Sequence, residues 1–281
     1  MPIATTIAGI LTMLDYEFMR NAFAAAGIVA ITAGIIGYFL VLRGQSFAGH
    51  ALSHVGFTGA TGAALLGIAP LAGLIAATFL AGLGMGVLGV DRASRDVAIG
   101  MVLAFALGLG MLFLHFFTSY ATVATALLFG NVLAVERGTI LLLAALGAGA
   151  LATLAVISRP LLFASLQPEL AEAKGVSLRL YAVLFLAIVA IATALAAEVV
   201  GVLLVFTLLV GPAAAAMPVT RHVATGVALA ATLALAEAWG GLVLAYYTDW
   251  PASFAITLLS AAFYALAHLG PGALARLRAR R

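Results

Sequence analysis

From Met19 to Leu269 the chain passes through successive apolar stretches of about 17 to 25 residues, each long enough to cross a hydrocarbon layer about 30 Å thick. Short clusters of charge separate them. Only 8% of the 281 residues are charged and 65% are hydrophobic, a balance that no soluble domain of this length shows. The expected fold is therefore all-α, a polytopic helical membrane protein with eight or nine transmembrane helices in one transmembrane domain, 1–281. Spans are expected near 21–42, 48–68, 70–90, 97–116, 138–157, 180–197, 200–217, 224–246 and 252–269. No segment between spans exceeds about twenty residues, too few for a separate soluble catalytic or nucleotide-binding domain. Any energy source must then be a partner or a gradient.

The distribution of Lys and Arg orients the spans. Alternate loops carry Arg43, then Arg92 and Arg95, then Arg159, Lys174 and Arg179, then Arg221, and last the tail residues Arg276, Arg278, Arg280 and Arg281. Eleven of the thirteen basic residues thus share one side, the expected cytoplasm, with Arg20 and Arg137 opposite and the C-terminus inside. Scattered in this way, the net charge of +3 reflects topology and not a nucleic-acid partner. There is no cysteine, which excludes disulfides, thiolate metal sites and Cys nucleophiles. The N-terminus lacks the pattern of a cleavable signal peptide, so the first span is expected to act as its own insertion signal. Segment 118–136 lies outside in this topology, and its apolar part, 124–133, suits a short re-entrant or surface helix. The thirty glycines, many in small-xxx-small arrays such as Gly82 with Gly86 and the nearby Gly108 and Gly110, point to closely packed helices.

Ionisable groups inside spans are costly and raise functional hypotheses. The strongest is the pair His50 and His54: on a helix, a spacing of four sets both rings on one face, about 6 Å apart along the axis. Neutral imidazoles so placed suit zinc and other borderline divalent ions. A zinc protease would need Glu directly after the first His as general base, and position 51 is alanine. Glu237 falls mid-way along a span, where it lines a pathway or is held in a helix contact. Glu198, at the outer end of the sixth span, either attracts a cation or sits in interfacial water. His115, Asp249 and His268 lie near span ends within reach of water. Segment 167–177 differs in kind: Pro168, helix formers and then Gly175 predict a two-turn amphipathic cytoplasmic helix, lying on the membrane or docking on a soluble partner.

Taken together, these residues resemble the integral membrane permeases of bacterial ABC-type zinc and manganese uptake systems. LRGQSFAGHALSHVGFTG (42–59) is similar to the family's entry to the second span, and LFGNVL (128–133) to its outer segment. PELAEAKGV (168–176) resembles its cytoplasmic coupling helix. VGVLLV (200–205), continuing to Gly211 and Pro212, resembles its broken-helix signature, and YYTDWPAS (246–253) fits its last outer turn. The resemblance implies a bacterial inner-membrane homodimer, with no permanently bound cofactor. Two cytoplasmic ATP-binding subunits would dock on the coupling helices through Pro168, Glu169, Glu172 and Gly175, and an extracytoplasmic metal-binding protein would deliver the ion. Family members commonly carry an acidic residue where this chain has His50, a change that favours zinc over manganese. The expected function is ATP-driven import of a divalent metal, zinc first and manganese second. His54 and His50 would be transient ligands, and Gly211 and Pro212 the point where the seventh helix bends. The alternatives are a gradient-driven secondary transporter using Glu237 and His54 as relay groups, and an ABC permease for a siderophore or cobalamin-like cargo.

Overall fold

The computed structural model describes residues 13–88, 92–117, 127–130 and 132–269, without the side chains of 92–95 and 98. The basic tail, the first twelve residues and segment 118–126 lie outside the described residues, as does Asn131. Ten α-helices are described: α1 (Glu17–Leu42), α2 (Ser46–Leu65), α3 (Pro70–Leu88), α4 (Arg92–His115), α5 (Arg137–Leu166), α6 (Pro168–Ala173), α7 (Leu178–Val200), α8 (Val205–Ala216), α9 (Val223–Thr248) and α10 (Ala252–Leu269). Six of them, α1, α3, α5, α7, α9 and α10, are long and apolar enough to cross a membrane. The apolar parts of α4 and α8, Ile99–His115 and Val205–Ala216, are shorter.

Burial sorts the helices into a centre and a rim. In α1 and α7, 72% and 78% of the most apolar window is enclosed by protein, against 17–33% in α3, α5, α9 and α10. Apolar side chains that remain exposed on the rim, such as Phe105 at 72% and Val156 at 80%, suit a hydrocarbon solvent. Helix α2 is long enough to span but too polar to face lipid, carrying two histidines, Ser53, Thr58 and Thr61. It is enclosed instead, lying against α3, α4, α7 and α8, while α9 and α10 close over α1 and α8 on the other side. Its hydroxyls are satisfied locally: Ser53 Oγ donates to the His50 carbonyl at 2.7 Å and Thr61 Oγ1 to that of Phe57 at 2.9 Å. Thr58 reaches across to the Ala106 carbonyl on α4.

Close backbone approach holds α2 to α3, since a Cβ on Gly59 or Gly73 would overlap the other's carbonyl. Gly82 and Gly86 meet α7 in the same manner, as the small-residue pattern predicts, whereas Gly108 faces open space and packs nothing.

Polar contacts at the helix ends place Arg137 at one end of the bundle and Arg43 and Arg179 at the other. Arg137 pairs with Glu17 at 2.8 Å, joining the starts of α1 and α5. At the opposite end, Arg43 binds the last turn of α5, and Arg179 Nη2 donates to the Val87 carbonyl at the end of α3 at 3.4 Å.

The expected seventh span, 200–217, needs correction. Helix α7 ends at Gly201, whose φ of 82° and ψ of 156° are accessible essentially to glycine alone, and helical geometry resumes only at Val205. The break therefore lies at 201–204 and not at Gly211 and Pro212, which sit inside the uninterrupted α8. Backbone groups freed at the break are taken up by the segment before α5: Val202 N donates to the Leu127 carbonyl at 3.3 Å and Leu203 N to that of Leu128 at 3.2 Å. Gly130, with φ of 72°, faces Gly201 so closely that neither could carry a side chain. Segment 127–130 thus acts as a backbone splint for a broken helix.

Candidate metal site

His50 and His54 stand on the second and third turns of α2, and the helix brings them together as their spacing predicts. Their ring centroids are 4.8 Å apart with the planes at 87°. One ion held about 2.0–2.1 Å from a nitrogen of each ring, with an N–metal–N angle between about 90° and 109°, would set the centroids about 4.6–5.3 Å apart. The observed separation lies within that interval. His54 is buried at 9% exposure, and its Nδ1 has no hydrogen-bond partner, an orphaned donor or acceptor in a place where such atoms are normally satisfied. His50 is half-buried and more accessible.

Aromatic rings hold the accessible histidine. Phe206, in the first turn of α8, meets the His50 ring edge-on at 5.5 Å, and Phe47 stands 6.4 Å away on the turn below. Phe206 could not be read from the sequence, because it is placed there only by the break at 201–204, which starts α8 at the level of the histidines. Among the described residues no group of three or more His, Asp or Glu gathers at one point. A cation at the pair would therefore take its remaining ligands from water, from backbone carbonyls or from a second copy. Weak, incomplete coordination of this kind permits both entry and release.

The two carboxylates lie elsewhere. Glu237 is fully buried on α9, with neither oxygen hydrogen-bonded, near Ser260 of α10, whose hydroxyl fills the space beside Gly211. Glu198 is half-buried near the end of α7, three residues before the break at Gly201. His115 is the last residue of α4, Asp249 caps α9 in the left-handed region with φ of 55°, and exposed His268 has its Nδ1 2.9 Å from the Tyr264 carbonyl.

The short helix at 168–173 forms as predicted, with Pro168 at its start and Gly175, φ 82°, reversing the chain after it. Val176 N closes the turn on the Ala171 carbonyl at 2.9 Å. Ala171 is fully buried, whereas Glu169, Glu172 and the apolar Leu170 face outward.

An envelope of apolar helices around a polar helix with a paired imidazole, and a short exposed helix at the positively charged end, defines a membrane permease. Residues 15–270 match the ABC 3 transport family, and the chain belongs to this family of ABC-type metal-uptake permeases. It is similar to the manganese transport system membrane protein MntC of Halalkalibacterium halodurans, 29% identical over 256 residues and covering 91% of this chain and 88% of that one. The manganese import system permease protein ScaB of Streptococcus gordonii is 30% identical over 251 residues, covering 89% and 90%. The solved structure of PsaBC from Streptococcus pneumoniae in complex with Fab superposes with a TM-score of 0.86 at 28% identity, over 100% of both chains.

Proposed function

We propose that this chain is the membrane-spanning subunit of an importer that moves a divalent metal ion into the cytoplasm by alternating access. The observation that carries this reading is the His50–His54 pair, at a separation one ion can bridge, on the enclosed polar helix of a metal-uptake permease. His54 is the primary ligand, enclosed and unpartnered at Nδ1, and His50 the second, nearer the opening. ATP is hydrolysed in separate subunits docked on the exposed face of α6, two copies of the chain enclose the path, and an extracytoplasmic protein delivers the ion.

Manganese replaces zinc as the leading cargo, because MntC and ScaB are both named for it. The donor set of this chain still bears on selectivity. Imidazole ligands generally bind zinc more tightly than manganese, so discrimination against zinc rests on site geometry, on delivery and on the ligands that complete the site. Reconstitution in vesicles with and without the cognate ATPase subunits, following manganese and zinc uptake, tests the proposal. ATP-dependent manganese uptake that is lost in His54→Ala is expected. Uptake without ATP, or full uptake in the doubly substituted His50→Ala/His54→Ala protein, overturns it.

A further inference from the structure

Between the short exposed helix and the histidine-bearing helix stands the guanidinium of Arg43. This residue directly follows α1 and lies two positions before Gln45, which precedes α2. Its Nη1 donates to Ser165 Oγ at 2.5 Å and lies 3.5 Å from the Leu161 carbonyl, both in the last turns of α5. Its Nε donates to Gln45 Oε1 at 3.3 Å, and its Cζ lies 5.2 Å from the centre of the Phe185 ring on α7. Leu161 and Phe185 are fully buried and Gln45 nearly so, which makes this a packed joint and not a surface ion pair.

The joint has a direction. Ser165 stands three residues before Pro168, the first residue of α6, and Gln45 stands five residues before His50. One rigid, planar group therefore clamps the foot of the histidine helix to the α5 end from which the partner-facing helix hangs. Such a clamp needs a fork, because guanidinium donates along several directions at once and stacks on an aromatic face, whereas the ammonium of lysine is a point charge on a flexible stem.

We propose that Arg43 is the positioning residue that transmits displacement of α6 to His50 and His54. The assignment rests on the importer reading, because α6 moves only if a partner engine docks on it. When α6 is drawn in or released, the end of α5 moves with it, and Arg43 carries that motion to Gln45 and so to the base of α2. The ion site is then widened or closed from below, at the turn nearest His50.

The test uses the reconstituted complex with its ATPase subunits, measuring manganese uptake and ATP hydrolysis in the same vesicles. Arg43→Lys and Ser165→Ala are the informative variants, with Arg43→Ala as the severe one and melting temperature as the check on folding. The expected result is hydrolysis within about twofold of the parent and uptake reduced about tenfold, so that ions moved per ATP fall, as the loss of a charge-assisted link implies. Combining Arg43→Lys with Ser165→Ala should add little to either alone. Proportional loss of uptake and hydrolysis, or an unchanged ratio in variants that fold, overturns the role of Arg43 while leaving the importer intact. Absence of ATP-driven uptake in the parent overturns the importer reading, and this proposal with it.

Discussion

Replacing Gly201 by alanine tests the splinted break directly. At φ 82° and ψ 156° a side chain strains the backbone by about 3 kcal/mol. The new Cβ would also overlap the Gly130 nitrogen and the Phe129 carbonyl carbon, forcing segment 127–130 away. That displacement breaks the bonds from Val202 and Leu203 to the Leu127 and Leu128 carbonyls, each worth about 1 kcal/mol. The total is about 5 kcal/mol, equivalent to a fall of about 10 °C or more in melting temperature for a chain of this size. Gly67→Ala is the internal control: its φ of 72° is also unfavourable, but a Cβ there meets open space, so it costs about 1 kcal/mol and about 3 °C. Both variants can be melted in detergent by intrinsic fluorescence, with uptake measured in parallel. If Gly201→Ala melts within about 3 °C of Gly67→Ala, the splint is not what holds the break.

The remaining expectations concern the site and its docking surface. His54→Ala should reduce manganese uptake by about a hundredfold or more, and His50→Asp should raise manganese uptake relative to zinc, since carboxylate suits the harder ion; equal ratios in parent and His50→Asp would remove His50 from the selectivity argument. Leu170→Asp on the exposed face of α6 should weaken retention of the ATPase subunits about tenfold without altering the melting of the permease alone, and undiminished co-purification would place the dock elsewhere. Glu237→Gln keeps the shape of the buried side chain and its reach toward Ser260, so uptake within about twofold of the parent is expected; a tenfold fall with unchanged melting would assign the carboxyl to the ion path.

Much of this molecule could be read from local pattern. Lipid permits little besides apolar helices, so composition and run length located nearly every span, and the alternation of loops put Arg137 and Arg43 at opposite ends, where the Arg137–Glu17 pair and the Arg43–Ser165 bond lie. The short exposed helix at 168–173 was legible because proline and glycine start and stop helices for reasons confined to their own backbone. The His50–His54 pair was legible because helical spacing alone brings rings four residues apart to one face.

The seventh span was misread for a related reason. Glycine and proline at 211 and 212 carry the usual signs of a break, yet α8 tolerates them, while Gly201 by composition is one small residue in an apolar run, and only the family resemblance of 200–205 marks a broken helix there. Its break exists because residues 127–130, more than seventy positions earlier, supply the backbone partners and the room that only two facing glycines allow. The same holds for Phe206 beside His50 and for Arg43 against Ser165: each depends on a contact between helices distant in sequence. By itself, then, the sequence determined which segments are apolar enough to enter the membrane and which side chains share a helix face, because those follow from hydropathy and helical periodicity. Only the tertiary structure decided where a helix could stop and what surrounds the imidazoles, because backbone groups released in lipid persist only where another part of the chain arrives to bond them.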